Sequence, residues 1–207
     1  MRIFDRLENL WIRASLTSAG AARAIKANLK GNFNVTGVTP LPLKRSADSP
    51  VKIYYFTDAN GKWEEYKAAD VKMAIQSIGN NQLAVSEAPV KMRLNTTTCA
   101  ALTLYDPDRR VGAVMHFHKM DSGIYRGYIA LALYKMGILD NGRMSKVEAR
   151  ILGVETVPTR IQKQKEWVKN IKAFLEACLV KVIAEEVGKK MSAKFDLNDG
   201  SVKYENS

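Results

Sequence analysis

Cysteine and histidine are scarce in this chain, with two of each in 207 residues. Two cysteines exclude the disulfide framework of a small secreted domain and fit a reducing compartment. No run approaches the ~20 apolar residues of a membrane span. The first 31 residues lack the roughly 7–15-residue apolar stretch of a secretory signal. They carry Arg2, Arg6, Arg13, Arg23, Lys26 and Lys30 on a helix-like pattern, read as a docked terminal helix, with a presequence or an amphipathic surface helix as the alternatives. GxxxxGK[ST], GxGxxG and HExxH are missing as well, which removes common nucleotide and zinc-protease readings. No cofactor and no metal is expected.

Acidic residues are outnumbered, 21 against 32 basic, for a net charge of +11. The excess is spread along the chain, with 12 basic and 7 acidic residues up to position 80 and 20 and 14 beyond it. No basic tract, RNA-recognition signature or basic–aromatic stripe accompanies it, so nucleic acid is not an expected partner. The charge suits an acidic protein partner or a membrane surface equally.

An apolar content of 46% supports a sizeable core in one large domain, or in a domain with an extension. Residues 4–29 read as helical and 31–50, rich in Pro, Gly, Ser and Thr, as a loop or linker. Val51–Thr57 and Trp63–Tyr66 flank Asn60-Gly61 and read as a β-hairpin. Ala68–Ile78 reads as a short helix stopped by Gly79-Asn80-Asn81. From Gln82 the expected order is strands at 83–86 and 90–94, two strands around Asp106-Pro107, a helix from Tyr125 to Met136 capped by Gly137, a strand at 147–153, a helix from Ile161 to Cys178, and strands at 180–187, 192–197 and 201–204. Cys178 shares a helical face with Ile171 and Phe174 or Leu175 and reads as core filling.

Cys99 is different, because a histidine answers it. Cys99–Tyr105 and Val111–Phe117 both alternate as strands, and Asp106-Pro107-Asp108-Arg109-Arg110 between them is a turn signal in which Pro fixes φ and Asp caps its own turn. A four-residue loop at 106–109 sets Tyr105 opposite Arg110 and Cys99 opposite His116. Directly opposed Cβ atoms lie roughly 4.5–5.5 Å apart, within reach of proton transfer from thiol to imidazole. Taken singly, a strand cysteine and a strand histidine are more often packing residues; their register points to a nucleophile and its base. His118, two residues on, is a rival base, and Cys99, His116 and His118 are a weaker metal-ligand alternative. Thr96, Thr97 and Thr98 precede the thiol and offer hydroxyl and N–H groups for an oxyanion site or for orienting the ring. Asp106 and Asp121 read as turn residues, which leaves the third member of a triad open.

The stretch Thr97-Thr98-Cys99-Ala100-Ala101-Leu102-Thr103-Leu104-Tyr105-Asp106-Pro107, followed by Val111-Gly112-Ala113-Val114-Met115-His116-Phe117, resembles the chemoreceptor glutamine deamidases (CheD). Ile161–Leu175, Val182–Gly188 and Phe195–Lys203 resemble that family's last helix and closing strands, so the likeness spans residues 82–205. It implies an α/β (α+β) sandwich of mixed and antiparallel strands with flanking helices, shared with cytotoxic-necrotizing-factor-type toxins. It further implies a bacterial cytoplasmic protein-glutamine deamidase, or an effector secreted into a host cell, acting on a protein with an exposed glutamine. Catalysis would fall to Cys99 and His116, supported by Thr96, Thr97 and Thr98. Thr97-Thr98 stand where the family has Gly-Ser, and Arg93 stands at its ring-orienting threonine, passing that role to Asn95, Thr96 or a main-chain carbonyl; a binding module without catalysis is the remaining alternative. Residues 1–80 form an N-terminal extension that would bind a regulatory or target protein, ahead of the catalytic domain at 81–207.

Overall fold

A computed structural model describes residues 39–42, 50–59, 62–71, 75–117, 124–138, 146–155 and 157–205. The helix expected at 4–29, most of the linker at 31–50, His118 and Asp121 lie outside them.

Strands β1 (Val51–Ala59) and β2 (Lys62–Val71) form the hairpin anticipated around Asn60-Gly61, with Ala59 opposite Lys62. The short helix expected at Ala68–Ile78 is not formed. Ala68–Val71 prolong β2 against Val51–Tyr54, and Ile75–Ile78 form β3, parallel to Lys91–Leu94. Alanine-rich helix propensity there loses to ladder pairing and to the burial of Ile78.

The remaining strands are β4 (Gln82–Glu87), β5 (Lys91–Thr96), β6 (Ala100–Asp106), β7 (Val111–Phe117), β8 (Glu148–Glu155), β9 (Lys181–Gly188), β10 (Met191–Asp196) and β11 (Val202–Glu205). Among the described residues two α-helices join them, α1 (Ile124–Lys135) and α2 (Ile161–Ala177). One sheet has the order β2-β1-β4-β7-β6-β8-β9 and the other β11-β10-β5-β3. The fold is α+β, as expected. Strands β8 and β9 pair in parallel, and α2 supplies the crossover that parallel neighbours require.

The layers run helices, seven-stranded sheet, four-stranded sheet. Alternation along β6 and β7 feeds both sides. Leu102, Leu104, Ala113, Met115 and Phe117 join Tyr128, Ile129, Trp167 and Ile171 beneath the helices. Ala101, Tyr105 and Val114 meet Met92, Leu94, Ala193 and Phe195 of the second sheet. The Phe117 ring stands edge-on to Tyr128 at 4.7 Å and to Trp167 at 5.7 Å, tying both helices to the sheet centre. Cys178 is wholly buried in the helix-side core, in agreement with its reading as filler.

Gly137 ends α1 as the sequence predicts. At φ +70° its N–H donates to the Tyr134 carbonyl and the Ile138 N–H to that of Leu133, the paired bonds of a Schellman cap. Residues 39–42 are strapped over this end. The Lys135 ammonium donates to the Thr39 carbonyl at 2.7 Å, the Leu41 N–H donates to the Lys135 carbonyl at 2.8 Å, and Arg109 donates to the carbonyls of Met136 and Pro42. No helix among the described residues is long and apolar enough to cross a membrane.

Candidate thiol–histidine site

The hairpin that carries the two functional candidates closes one residue later than its turn signal suggests. Asp106 pairs with Val111, the loop is 107–110, and Ala101 is the residue opposite His116. The expected direct pairing of Cys99 with His116 is therefore corrected. The cause is local: the Asp106 carboxylate accepts the N–H groups of Asp108 and Arg109, the Arg110 N–H donates to the Asp106 carbonyl, and Arg110 takes the left-handed conformation at φ +54°. These bonds keep Asp106 in the ladder and leave Arg110 in the turn.

Cys99 lies two residues before Ala101, in the bend that precedes β6. On its other flank His116 is paired with Gln82 of β4. Residues two before each flanking partner, Cys99 on one side and Asn80 on the other, meet beyond the end of β7, with Sγ 3.9 Å from Asn80 Oδ1. A thiol and a carboxamide thus meet at the end of the strand that carries the imidazole of His116.

Burial governs the thiol. Cys99 is 5% exposed and His116 3%. Desolvation pushes the Cys99 thiol above its ordinary value, and a hydrogen bond from the Thr98 side chain pulls it partly back. The resting sulfur is consequently a thiol, and a thiolate forms only when a base takes its proton.

The three threonines divide. Thr98 is half-buried and serves the sulfur directly. Thr96 is buried at the end of β5, where it pairs with Met191 and bonds its carbonyl at 3.5 Å, so its hydroxyl serves the second sheet. Thr97 is exposed in the bend between them. Arg93 points outward to Glu205 at 3.0 Å, and Asn95 accepts from the Ser192 hydroxyl at 2.7 Å, which removes both from the ring-orienting role. Asp106, expected inside the turn, is instead the last residue of β6 and caps the loop with its carboxylate.

Sequence reasoning missed Asn80, which it took for a helix stop. Its position just before a strand was visible, but the adjacency of that strand to the histidine strand is a property of sheet order. Among the described residues no group of three or more His, Cys, Asp or Glu could hold a metal ion; His118, the third ligand considered, lies outside them.

No family model matches the chain, and no curated protein does. Solved structures that match include the Neisseria meningitidis protein NMB0706, of the DUF152 family, at 10% identity and TM-score 0.39, covering 56% of this chain and 64% of that one. The Bacillus licheniformis hypothetical protein YfiH matches at 13% identity and TM-score 0.35, covering 47% and 46%. The chain spans less than two thirds of either. Neither is a chemoreceptor glutamine deamidase or a necrotizing-factor toxin, so the family assignment made from residues 97–117 is corrected. The protein-glutamine deamidase activity, the toxin and chemotaxis roles and the inactive-scaffold alternative fall with it.

Proposed function

We propose that the chain is a thiol-dependent hydrolase of small acyl compounds, with Cys99 as nucleophile and His116 as base. The observation that carries this reading is the Cys99 sulfur, 5% exposed and 3.9 Å from Asn80 Oδ1, at the end of the strand that carries His116. A sulfur so enclosed suits a small ester, thioester or activated amide entering between the sheets.

The chemistry follows from the electrostatics. His116 takes the thiol proton, and Sγ attacks the carbonyl carbon, forming a C–S bond. The leaving alcohol, thiol or amine departs with the proton returned by the imidazole. Water, deprotonated by the same imidazole, then cleaves the thioester and restores the thiol. Base removal of the proton is essential here, because desolvation keeps the thiol protonated at neutral pH.

The test is turnover of p-nitrophenyl acetate with intact-mass detection of the acetyl-enzyme. Acetylation confined to Cys99, absent in Cys99→Ser and at least tenfold slower in His116→Ala, is the expected result. A chain that takes up no acetyl group, or takes it up equally well in Cys99→Ser, would sink the proposal.

A further inference from the structure

The chain crosses from one sheet to the other immediately before Cys99. Thr96 is the last residue of β5 in the four-stranded sheet, Ala100 is the first of β6 in the seven-stranded sheet, and the bend 97–99 makes the crossing. That crossing passes over β8. Gly153, the ladder partner of Ala100, has φ +85° and no room for a side chain: a Cβ there would lie 2.4 Å from Thr96 Oγ1, 2.8 Å from Thr96 Cβ and 3.0 Å from the Cys99 carbonyl oxygen. The next residue, Val154, has φ +58°, a conformation that strongly disfavours a β-branched side chain.

Several contacts hold Val154 there. Its side chain is 3% exposed in the helix-side core. The β8–β9 ladder is interrupted at this point, passing from Gly153 opposite Val187 to Glu155 opposite Gly188. Its N–H donates to the Cys99 carbonyl at 2.9 Å, one rung beyond the last β6–β8 pair. Bulges beside functional groups re-aim side chains, and backbone strain persists where surrounding packing over-determines it.

We infer that Gly153 and Val154 are positioning residues for the Cys99 thiol: the glycine opens the space for the inter-sheet crossing, and the valine N–H fixes the Cys99 carbonyl, so that Sγ is held toward Asn80. The inference rests on the reading of Cys99 as nucleophile. Fixing the peptide that follows Cys99 limits the directions its Cα–Cβ bond can take, which converts a rigid bulge in one strand into the aim of a side chain in the next.

The test compares the full wild-type chain with Gly153→Ala, reading p-nitrophenyl acetate acylation and the pH profile of alkylation by iodoacetamide at Cys99. Cys178, wholly buried, reports unfolding in the same digest. In Gly153→Ala, acylation at Cys99 falls at least tenfold and the alkylation midpoint moves down toward that of an ordinary thiol, while Cys178 stays unmodified. Unchanged acylation and an unchanged alkylation profile overturn the inference. If Cys178 becomes reactive, the alanine has unfolded the chain and Val154→Gly decides: it keeps the N–H but frees the backbone, and the same two shifts at several-fold size are required. A wild-type chain that never acylates at Cys99 defeats the nucleophile reading instead, and the alkylation profiles of the two variants still judge the positioning.

Discussion

Asn80 Oδ1 lies 3.9 Å from Cys99 Sγ, across the end of the strand that carries His116. A carboxamide oxygen at that place accepts the S–H and favours the protonated sulfur. Asn80→Asp puts a negative charge there, which opposes the thiolate further. Alkylation of Cys99 near pH 8 should slow several-fold, with its pH midpoint displaced upward. An unchanged profile would show that Asn80 does not touch the thiol in solution.

Several weak acids are held neutral by burial. The Cys99 and Cys178 thiols are both pushed up by desolvation, and Tyr55 is pushed up to about 12, by burial first and then by Tyr66. A raised folded-state value means that the folded chain holds protons the unfolded chain has already lost. The associated stability is complete below the ordinary values and is lost as pH climbs from them toward the folded-state values. Urea midpoints should therefore fall from roughly pH 9 upward, and the decline should be shallower in Cys178→Ala. A midpoint that holds level into that range would contradict the burial.

Phe117 joins both helices to the sheet through Tyr128 and Trp167. Phe117→Ala should cost about 3–5 kcal/mol, measured by chemical denaturation. A cost under about 1 kcal/mol would mean that the two helices do not share this anchor.

Arg109 reaches from the turn after β6 to the carbonyls of Met136 and Pro42. Arg109→Ala should loosen residues 39–42 by about 1–3 kcal/mol, seen as faster amide exchange at Leu41, whose N–H donates to the Lys135 carbonyl. Protection at Leu41 that survives the substitution would assign the strap to Lys135 alone.

The sequence disclosed what local rules control. The apolar spacing of Trp167, Ile171 and Phe174, the left-handed Gly137 and the Asn60-Gly61 sequence signal each act within a few residues, and the helix, the helix end and the paired strands they predict are present. What depends on distant pairing was hidden. Ala68–Val71 prefer a helix until Val51–Tyr54 lie beside them. The hairpin register turned on the side chain of Asp106, which caps the loop from inside the strand, and so Ala101 rather than Cys99 faces His116. Asn80 meets Cys99 through strand order, and Gly153 lies against the Cys99 carbonyl through the crossing above it. The family likeness of residues 97–117 followed a strand–turn–strand pattern that hairpin mechanics favour in any setting.

The four-stranded sheet takes β3 and β5 from the first half of the chain and β10 and β11 from its end. During synthesis, the face bearing Ala101 and Val114 can gather its neighbours in the larger sheet but keeps part of its cover missing until Met191–Glu205 emerge. That face is thus shut late, by residues 191–205, after both described helices and the strands of the larger sheet have emerged.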